Sequence, residues 1–159
     1  FDASVLISFQ YGNKVYNHNR FFGEGGGARD EARVIFASNL DRWQQPGDQT
    51  DIPRLTTNPA SNNYGGVVQN LSDRYLEDGS FLRLRTLSLG YTVPKEVAAK
   101  AHLNSLRLYV QAANLLTITP YSGIDPEVNS QSGVANTKNI DWATVPQPRT
   151  FQVGLTVGL

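Results

Sequence analysis

The last ten residues, "TFQVGLTVGL" at positions 150–159, carry the pattern that decides the fold. Large apolar residues occupy every odd position in this stretch: Phe151, Val153, Leu155, Val157 and Leu159. Small or polar residues occupy the positions between them: Gln152, Gly154, Thr156 and Gly158. Because successive side chains of a β-strand point to opposite faces, this alternation predicts a strand with one apolar face and one polar face.

Three more segments alternate with the same period of two, so the chain is predicted to be all-β. The four strands are expected near residues 2–16, 80–93, 105–118 and 149–159. We expect them to be antiparallel and to pair in sequence order, because up-and-down hairpins are the simplest connection between consecutive strands. In the second strand, a regular alternation places Arg83 and Arg85 on the same face as Leu87.

The connections between these strands differ greatly in length. Those near residues 17–79 and 119–148 are long, whereas residues 94–104 form a short connection whose Pro94 suits a first helical turn. Structureless loops as long as the first two are unusual in a compact soluble domain. Transmembrane β-barrels have this asymmetry, with long extracellular loops and short periplasmic turns.

Composition narrows the classes of partner. Among the 159 residues, 14 Lys and Arg balance 14 Asp and Glu, so no net charge attracts nucleic acid. The chain has no cysteine, which excludes disulfides and thiolate metal sites. Charged residues make up 18% of the chain, below the roughly 25% of typical soluble domains. We expect no nucleic-acid partner, no metal and no cofactor.

Three blocks of the sequence resemble one protein family. They are "SDRYLEDGSFLRLRTLSLGYTVP" (72–94), "LRLYVQAANLLTITPYSGIDPEVN" (106–129) and "VPQPRTFQVGLTVGL" (145–159). In this order they resemble the C-terminal end of SusC/RagA-type outer-membrane proteins, which are TonB-dependent transporters of the Bacteroidetes. The resemblance implies that the four strands are the last of a barrel of about 22 strands. It also implies that the plug domain and the TonB-contacting segment belong to a part of the protein that this chain does not include.

The same resemblance implies a function and a set of partners. It predicts a TonB-dependent nutrient importer in the outer membrane of a Gram-negative bacterium, which takes up oligosaccharides or peptides beneath a SusD-like surface lipoprotein. Expected partners are that lipoprotein, TonB, the barrel-assembly machinery and the lipid bilayer. The closing apolar row is expected to be the signal that the assembly machinery recognises: Phe151, Val153, Leu155, Val157 and Leu159.

Aromatic and acidic residues of the long loops are candidates for contact with the substrate or the lid protein. They are Trp43, Tyr121, Asp125, Glu127 and Trp142. Large aromatic residues also anchor loop packing and an Asp-Pro pair also starts turns, so these structural roles stay open. A further set of aromatic residues near the strand ends suggests an interfacial girdle: Tyr11, Tyr16, Tyr75, Phe81 and Tyr91.

Two other functions fit parts of the pattern. A soluble β-sandwich that binds a ligand would bury the apolar faces internally and stay soluble without detergent. A hydrolase would use loop carboxylates, but the sequence offers no convincing acid–base pair, and His18 and His102 lack a nucleophile in a recognisable context. We therefore expect no enzymatic activity.

Overall fold

The computed structural model describes residues 1–24, 36–54, 72–128 and 139–159. Its contacts divide the chain into two compact units. The sheet unit consists of Phe1–Asn13, Gly79–Pro120 and Pro146–Leu159. The loop unit consists of two stretches, called here the first loop segment (Lys14–Asp78) and the second loop segment (Tyr121–Val145).

Regular structure in the described residues is mostly strand. The strands are β1 (Asp2–Gln10), β2 (Lys14–Asn17), β3 (Leu76–Asp78), β4 (Phe81–Thr92), β5 (Ser105–Ile118), β6 (Ile140–Asp141) and β7 (Thr150–Gly158). The α-helices are α1 (His18–Glu24) and α2 (Lys95–Ala99), and 3-10 helices lie at Ala37–Asp41 and Asp73–Tyr75. No helix in this part of the chain is long and apolar enough to cross a membrane.

Four strands form the sheet of the sheet unit, in the order β1-β4-β5-β7. Every neighbouring pair is antiparallel, so the antiparallel arrangement expected from the sequence is confirmed. The strands expected near residues 80–93, 105–118 and 149–159 lie within one residue of the observed bounds. The short helix α2 joins β4 to β5, and it buries Ala98.

A β-bulge in β4 changes which residues share a face. Between Leu84 and Thr86 the register shifts against both neighbouring strands, and Arg85 is the extra residue relative to β1. An extra residue reverses the alternation, so Arg83 lies on the face opposite to Leu87. The prediction that Arg83 shares the face of Leu87 is therefore wrong, because it assumed a strand without a bulge.

The first predicted strand, near residues 2–16, is two strands in the structure. β1 ends at Gln10, and β2 begins at Lys14. Between them Gly12 has a φ of +79°, a left-handed conformation that glycine adopts without steric cost. β1 pairs with β4, whereas β2 belongs to another sheet. The prediction of one long strand is wrong because it missed this turn.

Among its described residues, the loop unit contains a second sheet of three strands, in the order β3-β2-β6. β2 pairs antiparallel with β3 and parallel with β6, so the ladder joins the first loop segment to the second. A small core of Val15, Tyr121 and Val128 also draws on both segments. The expectation of structureless loops is therefore wrong for these residues. The other parts of the predicted loops, 25–35, 55–71 and 129–138, lie outside the described residues.

Candidate functional site

One face of the four-stranded sheet, called here the apolar face, carries a continuous apolar surface. A cross-strand row through all four strands illustrates it: Ala3, Leu89, Val110 and Val153. The described residues leave this face largely uncovered, since Val153 is 81% exposed and Leu155 is 59% exposed. An apolar surface that spans four strands without a cover marks contact with another apolar phase, which is either protein or lipid.

The opposite face of the same sheet, called here the polar face, carries hydroxyl and amide groups. The cross-strand row next to the one through Val153 is polar in all four strands: Ser4, Ser88, Gln111 and Gln152. Leu6, which pairs with Thr86, is an apolar exception on this face. The sheet therefore separates an apolar surface from a polar one.

Charged side chains of the sheet lie on the polar face. Arg107 of β5 forms an ion pair with Asp2 of β1 across β4. Arg83 pairs in register with Ser8 and is buried. Arg85 donates from its Nε atom to the Oγ atom of Ser8 at 2.9 Å. The prediction that Arg85 shares the face of the leucines is thus wrong as well, because its side chain extends to the polar face.

Glycines on the polar face make room for side chains of neighbouring strands. Gly154 of β7 pairs with Tyr109 of β5, and a Cβ atom placed on Gly154 would overlap the Tyr109 ring. A Cβ atom on Gly90 would lie 2.6 Å from an amino nitrogen of Arg107 and 2.6 Å from a carboxylate oxygen of Asp2. The sheet's own side chains therefore occupy the space beside these glycines.

In the loop unit, the carboxylate of Glu77 in β3 is the centre of a hydrogen-bond network. It accepts hydrogen bonds from Nη1 of Arg20 at 2.8 Å, and from Oγ and the backbone N–H of Ser122 at 2.8 Å and 2.9 Å. Asn17 donates to it at 3.2 Å and caps α1 by accepting from the backbone N–H of Arg20. Arg20 and Ser122 belong to different loop segments, so Glu77 connects the two segments.

Glu24, at the end of α1, continues this network. Arg20 donates to its two carboxylate oxygens in a fork, from Nε at 2.9 Å and from Nη2 at 3.0 Å. Arg74 donates to one of the same oxygens at 3.0 Å. The Glu24 side chain is only 7% exposed, and the two arginines supply the opposite charge that such burial requires.

The charges of this network are stabilised at neutral pH. Burial alone would raise the pKa of Glu77, but the hydrogen bonds from Arg20 and Ser122 outweigh it and lower the pKa. Hydrogen bonds to Glu24 and then to Glu77 raise the pKa of Arg20. Both groups are therefore ionised in the folded loop unit.

Aromatic rings from both loop segments form a second cluster. The imidazole ring of His18 stacks on the indole ring of Trp142, with ring centroids 4.8 Å apart and planes 6° apart. Phe21 and Tyr75 meet edge to face at 5.6 Å, and both are buried. Trp142, by contrast, is 50% exposed. Burial lowers the pKa of His18, so the neutral imidazole is the favoured partner of the indole.

The predicted contact residues lie in the loop unit, in different surroundings. Trp142 is half-exposed and stacks on His18. Tyr121 is buried, and its hydroxyl donates to Oδ2 of Asp141 at 2.7 Å. Trp43 is half-buried, and its backbone N–H donates to the carbonyl of Ile52 at 2.8 Å. Tyr121 therefore has the packing role that the sequence left open, and its contact with a ligand stays a prediction.

The two predicted acidic residues form a turn. Asp125 is buried, and its Oδ1 atom accepts from the backbone N–H of Glu127 at 2.9 Å. This is the turn role that an Asp-Pro pair favours. Among the described residues, no three histidine or acidic side chains are close enough to share a metal ion.

Two residues of the predicted aromatic girdle have a different position. The rings of Tyr16 and Tyr75 contact each other at 6.2 Å within the loop unit, and Tyr75 is 5% exposed. The girdle prediction is wrong for these two residues, because they pack against other rings of the loop unit.

Sequence reasoning also missed Arg20, Glu24 and Glu77, whose partners are distant along the chain.

Comparison with known proteins identifies the relatives of this chain, although no protein-family model matches it. TonB-dependent receptor P3 of Formosa agariphila is 32% identical in an alignment of 161 positions that covers 99% of this chain. TonB-dependent receptor P26 of the same organism is 30% identical over 98% of this chain. The receptor SusC of Bacteroides thetaiotaomicron is 31% identical over 58% of it. The chain is a relative of the TonB-dependent receptors. The resemblance stated from the sequence is confirmed.

Solved structures agree with this relationship. A structure of the RagAB peptide transporter matches 98% of the chain with a TM-score of 0.72 and 26% identity. The RagAB peptide importer in an "open-open" state matches 99% with a TM-score of 0.73 and 25% identity. The chain spans about 15% of the length of receptors P3 and P26, and of each matched RagAB chain.

Proposed function

We propose that the sheet unit is part of the wall of a transmembrane β-barrel, with its apolar face toward lipid and its polar face toward the barrel interior. The observation that carries the proposal is the contrast between two adjacent cross-strand rows. The row through Val153 is apolar in all four strands, and the row through Gln152 is polar in all four. A wall between lipid and an aqueous interior requires this alternation in every strand.

The charges of the four strands support the same orientation. An arginine on the lipid-facing side of a barrel costs about 2–4 kcal/mol at the bilayer midplane. The bulge in β4 and the bond to Ser8 keep Arg83 and Arg85 on the polar face, and Arg107 pairs with Asp2 there. These four strands are described throughout, and none of their charged residues lies on the apolar face.

The alternative function is a soluble β-sandwich module. A sandwich covers the apolar face of each sheet with a second sheet about 10 Å away. In the described residues, the apolar face has no such cover, which favours the barrel wall. The 159 residues expressed alone separate the two proposals. A sandwich gives a monodisperse monomer in detergent-free buffer, whereas a wall segment requires detergent to stay in solution.

We infer that the long connections face the cell exterior. Both leave the sheet at one end, where Gln10 pairs with Phe81 and Leu82 pairs with Ile118. The five-residue helix α2 makes the connection at the other end. Long loops outside and short turns on the periplasmic side are the rule in outer-membrane barrels.

The receptor that contains these residues is proposed to import a nutrient through the outer membrane, driven by TonB, and not to act as an enzyme. The names of its relatives support this, since they are TonB-dependent receptors and a peptide importer. Peptides and oligosaccharides are the proposed substrates, and a SusD-like surface lipoprotein is the proposed partner. The half-exposed Trp142 is the best placed of the predicted contact residues, ahead of Trp43, Tyr121, Asp125 and Glu127. The closing apolar row of β7 is proposed as the assembly signal.

Two neighbouring substitutions test the orientation of the wall. In the receptor that contains these residues, Val153→Arg places a charge on the apolar face near the middle of β7, and Gln152→Arg places the same charge on the polar face. We expect Val153→Arg to cost about 2–4 kcal/mol and to reduce the amount of folded barrel in the outer membrane. Gln152→Arg is expected to assemble close to the wild-type level. The reverse result would invert the two faces.

A further inference from the structure

We propose that the two loop segments form one pre-assembled body and that Glu77 is the residue that couples them. The proposal concerns the loop unit alone, so it does not depend on which face of the sheet meets lipid. It rests on three kinds of contact that cross from one segment to the other: backbone pairing, core packing and charged hydrogen bonds.

The backbone ladder between the two segments contains only two residue pairs in the described residues. Tyr16 pairs with Ile140 and Asn17 pairs with Asp141 in the parallel ladder of β2 and β6. The backbone N–H of Tyr16 also donates to the carbonyl of Asn139 at 2.8 Å. Even an isolated two-stranded hairpin is marginal in water, so a ladder of two residue pairs needs support from side chains.

Core packing gives part of that support. Val15 of the first segment is completely buried, and it contacts Tyr121 and Val128 of the second segment. The Tyr121 hydroxyl donates to the buried Asp141 within the second segment. In the part of the chain that the structure describes, this core consists of three buried residues, and only Val15 comes from the first segment. The stack of His18 on Trp142 also crosses between the segments, but Trp142 is 50% exposed, so this contact adds little buried apolar area.

Glu77 supplies the charged contacts that cross between the segments. Its carboxylate binds Arg20 in its own segment and both the hydroxyl and the backbone N–H of Ser122 in the other segment. The Glu77 side chain is 13% exposed, so little water competes for these bonds. Hydrogen bonds to an ionised carboxylate are roughly twice as strong as neutral ones. Release of the second segment therefore requires the loss of two such bonds at once.

One consequence is that the two segments open together. When Ser122 moves away, the carboxylate of Glu77 loses two hydrogen-bond donors. The same carboxylate orients Arg20, and Arg20 is bonded to Glu24 at the other end of α1. α1 has seven residues, which is too short to be stable as an isolated helix. Loosening at Ser122 is therefore transmitted to α1 through Glu77.

Hydrogen exchange of the receptor that contains these residues, read by mass spectrometry in detergent micelles, tests the coupling. In the variant Glu77→Gln we expect about tenfold faster exchange in residues 14–24 and also in residues 121–128, since the amide keeps one neutral acceptor oxygen and loses the charge that strengthens the bonds on both sides. Asp73→Asn is the matched control. It makes the same chemical change at an exposed carboxylate four residues away, and exchange in both segments should stay as in the wild type.

A second variant covers the case in which Glu77→Gln does not assemble. Ser122→Ala removes one donor to Glu77 and also the Oγ atom that accepts from Asn17, and it leaves every first-segment contact of Glu77 in place. Faster exchange at the far end of α1, in residues 21–24, as well as in residues 121–128 supports the coupling, because these α1 residues lie beyond the direct contact of Asn17 with Ser122. Faster exchange confined to residues 121–128 overturns it. The proposal is likewise overturned if Glu77→Gln accelerates exchange in the first segment only.

Discussion

Arg85 of β4 donates a hydrogen bond from its Nε atom to the Oγ atom of Ser8 in β1, at 2.9 Å. This bond lies at the bulge, where β4 carries one residue more than β1. Because the extra residue reverses the alternation, the leucines before and after the bulge share one face, and both arginines lie on the other. The separation of leucines from arginines in β4 thus depends on one extra residue.

Deletion of single residues from β4 tests this dependence. Without Arg85 the remaining sequence alternates regularly from Leu82 to Tyr91, so the leucines keep the apolar face. Without Ser88 the residues beyond it change faces. We expect the receptor lacking Arg85 to assemble in the outer membrane at a level several-fold above the receptor lacking Ser88. Equal loss in both deletions, measured as folded barrel in membrane fractions, would show that the phase of the alternation is not the determinant.

The close approach of Gly154 and Tyr109 predicts a steric defect with a specific rescue. Gly154→Val places branched carbons where the Tyr109 ring lies, and overpacking of this kind costs about 1–3 kcal/mol. We expect a lower thermal midpoint for the folded receptor. The double variant Gly154→Val with Tyr109→Ala should recover part of the loss, because the ring is gone. If the loss of stability in the double variant equals the sum of the losses in the two single variants, the two residues do not interact, and the contact is contradicted.

The pKa of Glu77 predicts a dependence of loop-unit stability on pH. Its folded pKa is lowered, so its contribution is fully present above the unfolded value of about 4.3 and is lost as the pH falls through the folded value. The groups that face the carboxylate are Arg20, Asn17 and Ser122, and of these only Arg20 is charged.

Thermal unfolding of the loop unit, followed by hydrogen exchange or tryptophan fluorescence, measures this effect. The difference in midpoint between the wild type and Glu77→Gln should be largest near pH 7 and should shrink as the pH falls below about 4. The Asp73→Asn variant serves as the control, and its difference from the wild type should be small throughout. A difference that does not change with pH would assign the role of Glu77 to packing and not to charge.

The strands of the sheet were predictable because each carries its own signal. Alternation with period two in residues 105–118 and 150–158 is a local property, and the observed strands follow it closely. The bulge was also present in the sequence, since the apolar phase moves from even positions at Leu82 and Leu84 to odd positions at Leu87 and Leu89. A change of phase within one strand is the sign of a bulge, and an expectation of continuous alternation does not include it.

The loop unit was not predictable in the same way. Its parallel ladder joins Asn17 to Asp141, and its network joins Arg20 to Glu77 and Ser122, so the partners are far apart in the sequence. No local periodicity marks strands of two to four residues. One local signal did exist, because Asn17 is a favoured N-cap residue directly before α1. Pairing between distant segments is a property of the folded chain.

The most direct measurement of the central claim is the accessibility of spin labels placed one at a time at positions 151 to 157 of β7, in the receptor reconstituted in lipid bilayers. We predict that labels at the odd positions collide with dissolved oxygen, which concentrates in lipid. Labels at the even positions should collide instead with a water-soluble nickel complex or be shielded from both. Strong collision of the odd positions with the nickel complex, or accessibility without a period of two, would contradict the assignment of the apolar face to lipid.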